Sequence, residues 1–276
     1  MQYTRTHPEA QSAAPGLSRI LADTRREVAA KKERRAELER AARQAARPPD
    51  WVGALGRSDV AVIAEIKRRS PSAGEIAPGL DPAGQARSYR SGGAAAISVL
   101  TDAIHFGGSM EDLAQASAAA GLPVLCKDFI LDEIQLLEAR ARGASAVLLI
   151  VRALDQAILR ELRSYARELG LSVLVEVHTL GELDRALAVE PESVGVNARD
   201  LETFEVNLFG IEPVLRAVPP GVIAVAESGI SSRAEVELVA RWGADAVLVG
   251  TALSGARDPA QSVRSLVGVP KRARGH

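Results

Sequence analysis

The chain has 276 residues, 47% of them hydrophobic, and its 34 basic and 35 acidic side chains give a formal net charge of -1. A nearly neutral chain of this kind has no general field that would recruit nucleic acid or an anionic membrane, so an anionic ligand has to be attracted locally. The single cysteine, Cys126, excludes an intrachain disulfide and a multi-cysteine zinc site, and it fits a reducing compartment.

The N-terminal region predicts a helical extension ahead of a larger domain. Residues 1–16 are expected to be flexible, residues 17–58 to form the extension, and residues 59–276 to form one catalytic domain. Residues 17–47 predict a single long, charged helix that ends at Pro48 and Pro49, and its mixed charges favour a solvated surface helix over a cover for a site. The first residues lack the apolar core of a signal peptide, and the apolar run 146–151 is too short to span a bilayer, so the expected location is the cytoplasm.

From residue 60 onward, short apolar strands alternate with amphipathic helices. Eight strands are predicted, with the sequences VAVIAEIK, AAISVL, PVLCK, AVLLIV, SVLVEV, SVGVN, VIAVAES and DAVLVG. Eight consecutive strand-helix units in this length predict an α/β fold, a parallel (β/α)8 TIM barrel with an N-terminal helical extension. A doubly wound open sheet is the alternative.

Polar side chains collect at the C-terminal ends of these strands, where barrels of this kind bind ligands. A single charged residue there is usually a solvated rim residue or half of a structural ion pair. The repetition favours a collective role, because scattered buried charges would each be costly without mutual neutralisation. The seven residues, from five strands, are Glu65, Lys67, Lys127, Glu176, Asn197, Glu227 and Ser228.

The last two units carry a phosphate-binding pattern. AESGI ends strand seven and VGTAL ends strand eight, so glycine and hydroxyl residues stand just before helical turns, where backbone N–H groups can approach an anion. Gly229, Gly250 and Thr251 are the candidates, and a side chain at either glycine is expected to occupy the positions of the phosphate oxygens.

Other familiar site patterns do not occur in the sequence. The four histidines lack zinc-site spacing, and there is neither a G-x-G-x-x-G after the first strand nor a Walker A loop, so neither a metal nor a cofactor is expected. Cys126 adjoins Lys127 in a strand. If the lysine faces the barrel interior, the thiol faces the helix layer and serves as core rather than as a nucleophile.

Several motifs together resemble one enzyme family. The segments E-x-K-x-x-S-P-S at 65–72, C-K-D-F at 126–129, N-x-R-D-L at 197–201 and E-S-G-I at 227–230 occur in order. This combination is similar to the indole-3-glycerol-phosphate synthases of tryptophan biosynthesis, and the match runs from about residue 60 to residue 253. The resemblance implies a (β/α)8 barrel whose N-terminal helical segment borders the active site, which revises the interpretation of residues 17–47 as a surface helix.

The resemblance also implies a reaction without a metal or redox cofactor. The substrate would be 1-(2-carboxyphenylamino)-1-deoxyribulose 5-phosphate, which is cyclised, decarboxylated and dehydrated to indole-3-glycerol phosphate. Both ring closure and dehydration need a general acid. Lys127 is the candidate for the first step, and Glu176 for an acid or base in dehydration. The implied catalytic set consists of the seven strand-end residues, with Glu65 and Lys67 as a coupled pair.

Binding roles follow from the same resemblance. Lys67 and Arg199 would meet the anthranilate carboxylate, with proton donation as the alternative main role of Lys67. Phe106 and Phe129 would flank the aromatic ring, although a plain core role is an open alternative for each phenylalanine. The phosphate would lie on Gly229, Gly250, Thr251 and Ser70, and Ser70-Pro71-Ser72 would shape a loop that closes over the substrate. The chain departs from the family pattern at Gly107, where a larger polar residue is usual, and at Thr251, where serine is common.

The expected partner is therefore a small phosphorylated molecule, with no nucleic acid and no membrane, and a monomer is compatible with the sequence. Two alternatives stay open. Phosphoribosylanthranilate isomerase, a related phosphate-binding barrel, would need an acid-base pair of cysteine and aspartate. A non-catalytic barrel that binds phosphorylated ligands would not need the charged groups.

Overall fold

The computed structural model describes residues 16–274, and the predicted flexible N-terminus lies outside this range except for Gly16. The chain begins with α1 (Leu17–Lys31), a 3-10 turn (Lys32–Arg34), α2 (Arg35–Gln44) and α3 (Trp51–Leu55). The prediction of one unbroken helix over 17–47 is therefore wrong. The tightened turn lets Val28 on α1 and Leu38 on α2 both pack against Ile134 and Leu137 of α7 (Glu133–Ala141), and this packing overrides the continuous helical pattern.

Eight parallel strands close into a barrel in sequence order, which confirms the predicted fold and excludes the open sheet. Each strand pairs with its neighbours in the sequence, and the first pairs with the eighth through Ala61 opposite Ala246. The strands are β1 (Ala61–Ile66), β2 (Ala96–Leu100), β3 (Val124–Lys127), β4 (Ala146–Ile150), β5 (Ser172–Val177), β6 (Ser193–Asn197), β7 (Ile223–Glu227) and β8 (Ala246–Val249).

Helices surround this barrel, and short ones lie in the loops that follow the strands. The predicted amphipathic segments all form helices, most of them opened by an aspartate, serine or threonine cap. Besides α7 they are α4 (Pro82–Gly92), α5 (Ala103–Phe106), α6 (Met110–Ala120), α8 (Gln156–Glu168), α9 (Leu180–Leu187), α10 (Glu212–Ala217), α11 (Arg233–Arg241), α12 (Thr251–Ser254) and α13 (Pro259–Arg264), with 3-10 turns at Val151–Ala153 and Leu208–Ile211.

Alternation along each strand sorts side chains between two apolar layers. In β1, Ile63 belongs to the cluster inside the barrel, whereas Val62 and Ala64 belong to the cluster between the strands and the helices. The same alternation carries Glu65, two residues after Ile63, onto the interior face at the end of β1.

The N-terminal extension covers the barrel at both ends. At the N-terminal ends of the strands, Trp51 and Leu55 of α3 are almost fully buried against Ala61 and Ala246. The Trp51 Nε1–H donates to Ser193 Oγ at 3.2 Å, and this hydroxyl donates to the Val173 carbonyl at 2.9 Å. The indole therefore closes the end of the barrel opposite the expected site.

Within residues 16–274, the structure contains no helix with both the length and the apolar character needed to cross a membrane.

Candidate active site

A cavity of about 540 Å³ opens at the C-terminal ends of the strands. The structure brings all fourteen residues that the sequence nominated to its walls, although they come from widely separated parts of the chain. They are Glu65, Lys67, Ser70, Phe106, Lys127, Phe129, Glu176, Asn197, Arg199, Glu227, Ser228, Gly229, Gly250 and Thr251.

Lys127 occupies the floor of this cavity between two buried carboxylates. Its Nζ lies 3.7 Å from Glu176 Oε2 and 3.5 Å from Glu227 Oε2, and each glutamate side chain is only 1% exposed. Burial by itself would lower the pKa of Lys127, but the charges of Glu227 and Glu176 outweigh burial and raise it. Burial raises the pKa of Glu227 against the opposing effect of Lys127. The ammonium is thus held in its charged form by the two carboxylates beside it.

Glu65 and Lys67 form a second ion pair on the same floor. Lys67 Nζ lies 3.1 Å from Glu65 Oε1, and the two side chains are 12% and 5% exposed, respectively. The backbone under this pair is fixed from the helix layer, because the Tyr89 and Ser254 hydroxyls both donate to the Glu65 carbonyl. Both members of the pair line the cavity, so the Lys67 ammonium reaches it with Glu65 as its counter-charge.

Two glycines make room for the glutamates inside the barrel. A Cβ on Gly195 would collide with Glu227 Oε1, and a Cβ on Gly250 would collide with Glu65 Oε1 and lie 3.0 Å from Lys67 Nζ. The expectation that a side chain at Gly250 would act by filling phosphate-oxygen positions is therefore incomplete. Such a side chain would first displace the Glu65–Lys67 pair.

The loop after β1 is a small hairpin in which Arg69–Ser70 pairs with Gly74–Glu75. Its base is fixed by a bidentate ion pair from Arg68 to Asp112, with N–O distances of 2.9 and 3.1 Å. Arg69 Nη2 donates to the Ala103 and Ile104 carbonyls of the next loop. The loop over the cavity is thus attached to the barrel by arginine contacts that the motif resemblance did not assign.

Gly107, the departure from the family pattern, closes α5 with φ of 66°. A Cβ at this position would lie 3.3 Å from Arg69 Nε. A glycine suits both the left-handed backbone and the nearby arginine.

Arg199 spans the mouth of the cavity between two loops. Its Nη1 donates to Ser72 Oγ at 3.2 Å and to the Phe204 carbonyl at 2.9 Å, and its backbone N–H donates to Asn197 Oδ1 at 3.0 Å. Burial lowers the pKa of the Arg199 guanidinium, which nevertheless stays cationic. Among residues 16–274, no acceptor is found for the other donors of this guanidinium fork, which lines the cavity.

The rim after β7 and β8 consists of a sharp turn and two helix starts. Ser228 and Gly229 both have positive φ, 66° and 74°, so the chain turns sharply into the loop before α11. The Glu235 carboxylate accepts the N–H groups of Ser231 and Ser232 in a capping box. Thr251 begins α12, and the first N–H groups of a helix have no intrahelical acceptor.

Aromatic and aliphatic side chains form the opposite wall. The rings of Phe106 and Phe129 lie with centroids 6.4 Å apart at an interplanar angle of 36°. Leu17 and Ile20 of α1 join them in one cluster and line the cavity. The composition of α1 favoured a surface helix, whereas the family resemblance implied that this segment borders the site. The apolar spacing at 17, 20 and 21 was a further signal of a buried face.

Asp128 also lines the cavity, and sequence reasoning gave it no role. Its Oδ2 accepts from Thr101 Oγ1 at 2.6 Å, and its Oδ1 accepts from the Phe129 backbone N–H at 2.8 Å. Burial raises the pKa of Asp128 to about 6. Its place directly after Lys127 was the available signal, but an alternating strand would have directed it away from the interior.

Cys126 is fully buried in the cluster between the strands and the helices, as predicted. Burial raises the pKa of its thiol to about 12, so the thiol is a packing group rather than a nucleophile. No group of three or more metal-ligating side chains comes together within residues 16–274.

Comparisons with known proteins agree on one family. A family model described as indole-3-glycerol phosphate synthase matches residues 17–266. The indole-3-glycerol phosphate synthase of Exiguobacterium sibiricum is 45% identical over 255 residues, covering 92% of this chain and 97% of the relative. That of Mycolicibacterium vanbaalenii is 46% identical over 257 residues, covering 92% of this chain and 94% of the relative.

Solved structures at low identity share the fold. A thiamine phosphate pyrophosphorylase from Pyrococcus furiosus superposes with a TM-score of 0.57 at 19% identity, covering 75% of this chain and 93% of that one. This likeness concerns the barrel architecture alone.

Proposed function

The chain belongs to the indole-3-glycerol phosphate synthase family, and from this premise we propose that it is a carboxy-lyase acting on 1-(2-carboxyphenylamino)-1-deoxyribulose 5-phosphate. The proposed reaction closes the five-membered ring, releases carbon dioxide and water, and yields indole-3-glycerol phosphate for tryptophan biosynthesis.

The observation that carries this proposal is the buried Lys127 ammonium between Glu176 and Glu227 on the floor of the cavity. Ring closure makes an alkoxide-like oxygen from the substrate ketone as the ring carbon attacks, and a positioned ammonium can donate the proton which that oxygen needs. Because the neighbouring carboxylates keep Lys127 charged, it starts the cycle as an acid. We assign it to the ketone oxygen.

Decarboxylation and dehydration follow on the same floor. Loss of carbon dioxide restores the aromatic ring, and the remaining hydroxyl leaves as water once it is protonated. We propose Glu176 as the acid or base of this dehydration, with Glu227 keeping Lys127 charged. Asn197 and Ser228 complete the set as polar groups on the cavity wall that hydrogen-bond the reacting substrate.

The walls suit the three parts of the proposed substrate. Lys67 and Arg199 present cationic donors to the anthranilate carboxylate, and Phe106 and Phe129 face its ring. The phosphate is assigned to the opposite rim, on Ser70 and on the turns at Gly229, Gly250 and Thr251, where backbone N–H groups favour an anion. We further propose that the protein works in the cytoplasm as a monomer whose partner is this small phosphorylated substrate alone.

Steady-state conversion of the synthetic substrate, followed by indole fluorescence, tests the proposal. Turnover that saturates with substrate and is inhibited by inorganic phosphate is the expected result. A folded protein that binds the substrate without forming product would instead support a non-catalytic barrel. Isomerisation of phosphoribosylanthranilate would support the other alternative, which the buried packing role of Cys126 disfavours.

A further inference from the structure

Glu176 is approached from two sides, and only one of them is the cavity. Its Oε2 faces Lys127, whereas its Oε1 is buried and lies 3.8 Å from His178 Nε2. His178 directly follows β5, two residues after Glu176, and its side chain is only 7% exposed. It is not among the residues that line the cavity.

The orientation of the imidazole is fixed by a second carboxylate. His178 Nδ1 lies 3.2 Å from Glu182 Oε2, which also accepts the His178 backbone N–H at 2.7 Å. A carboxylate accepts, so Nδ1 carries a hydrogen and Nε2 is the nitrogen that gains or loses a proton. Glu182 is in turn held by Arg152 at 3.1 Å, and Arg152 reaches Asp200 at 3.3 Å.

Two buried atoms therefore face each other without other partners. Within residues 16–274, neither Glu176 Oε1 nor His178 Nε2 has a hydrogen-bond partner. Buried polar atoms are rarely left in this condition, and a small side-chain rotation would turn the 3.8 Å approach into a hydrogen bond. One proton between the two atoms satisfies both, either as a carboxylic acid facing a neutral imidazole or as a carboxylate facing an imidazolium.

We propose that His178 is a positioning residue that shares one proton with Glu176 and so keeps Glu176 able to act as the acid of the dehydration step. The inference rests on the proposed function. In that step the Glu176 O–H bond breaks toward the leaving hydroxyl, the C–O bond breaks, and water departs. The pair is then left as a Glu176 carboxylate facing a neutral imidazole, and the proton that the new ring loses returns to the pair and restores the shared proton.

The charges around His178 decide the direction of its pH dependence. Burial alone would lower the pKa of His178, and Arg152 acts in the same sense, but the Glu182 hydrogen bond and the charge of Glu176 raise it. The shared proton is present below this pKa and is lost as the pH rises through it. The pKa of His178 lies above the ordinary value of about 6.5. We therefore expect kcat to fall as the pH rises above that value.

Two substitutions separate proton sharing from packing. H178F removes both contacts and should lower kcat by about tenfold or more, less than the loss of a direct acid, with KM close to the parental value. H178Q keeps an uncharged donor near Glu176 and should recover part of kcat without the alkaline fall. H105Q is the matched control, because His105 is equally buried and lies 3.2 Å from Asp23 but does not contact Glu176. The pH profile of kcat for H105Q should show the same fall at alkaline pH as the parent.

A measurement without substrate makes the test independent of the reaction. The imidazole C2–H resonance of His178, assigned with H178Q, should titrate at a lower pH in Glu176→Gln than in the parent. An unchanged titration would overturn the inference, as would an H178Q profile with the parental alkaline fall or a folded H178F with parental kcat. If the parent protein forms no indole product while the titration shifts, the proposed function fails and the proton sharing stands.

Discussion

At the scale of single residues, the site concentrates charge where a barrel normally buries apolar groups. Glu65, Glu176 and Glu227 are each almost fully buried, and Lys67 and Lys127 provide the compensating charges. Isolated buried charges of this kind cost several kcal/mol each. The array is tolerable because each carboxylate has an ammonium within 3.7 Å.

Lys127→Ala should lower kcat by about two or more orders of magnitude, the usual scale for removing a positioned general acid. The loss has two causes, because the variant also leaves Glu176 and Glu227 facing each other without a cation. Lys271→Ala is the matched control, since Lys271 lies 3.7 Å from Asp245 and donates to the Leu55 carbonyl at the opposite end of the barrel. Steady-state kinetics with a thermal unfolding check measure both, and near-parental turnover in folded Lys127→Ala would refute its role.

Glu65 and Lys67 should behave as one unit in a double-mutant cycle. Glu65→Gln and Lys67→Met should each remove much of the activity, and the double variant should lose little more, because groups that act together are non-additive. The Arg57–Asp59 pair is the control. Its members are also two residues apart in the sequence, with Arg57 Nε 2.8 Å from Asp59 Oδ1, but the pair lies before β1 and is more exposed. If the double variant regained parental turnover and stability, the Glu65–Lys67 pair would be purely structural.

At the scale of elements, α1 is the part whose function its composition concealed. It is tied to the barrel by the contact of Asp23 Oδ2 with His105 Nε2 at 3.2 Å and by the ion pair of Lys31 with Glu138 at 2.9 Å. Between these ties its apolar face covers the aromatic wall of the cavity. The helix therefore belongs to the site as well as to the surface.

Ile20→Ala should raise KM by about threefold to tenfold, which corresponds to about 1 kcal/mol of lost apolar contact with the substrate. The control is Val28→Ala on the same helix, because Val28 packs against α7 and does not line the cavity. Both variants should unfold at lower temperature, but only Ile20→Ala should bind substrate more weakly. Equal KM values for the two variants would show that α1 merely packs on the barrel.

The sequence predicted elements well where a local pattern decides the structure. Strand-end polarity and alternation foretold which side chains enter the barrel, from Glu65 in β1 to Glu227 in β7. The break in the N-terminal helix at Lys32 was not predictable, because it depends on packing against α7, which is distant in sequence. The position of Asp128 in the cavity wall was missed for a related reason, since the chain leaves strand geometry directly after Lys127.

At the scale of the whole molecule, stability and chemistry lie at opposite ends of one barrel. The charged floor and cavity occupy the C-terminal ends of the strands, and Trp51 and Leu55 fill the N-terminal ends with apolar volume. This division is typical of the fold, and here the same N-terminal extension supplies α1 to one end and α3 to the other. The extension is thus both a wall of the site and a plug of the core.

Trp51→Ala should cost about 3–5 kcal/mol of unfolding free energy, since it removes a buried indole and leaves a cavity that the rigid barrel cannot refill. Trp51→Phe should cost less, because it keeps most of the volume and gives up the hydrogen bond to Ser193. Urea unfolding measures both. At a temperature where each variant is fully folded, KM and kcat should stay within about twofold of the parent values. A substitution at Trp51 could change the cavity only by shifting the closely packed core that lies between them. A large loss of kcat in folded Trp51→Phe would mean that the two ends of the barrel are mechanically coupled and that the separation of stability from chemistry is wrong.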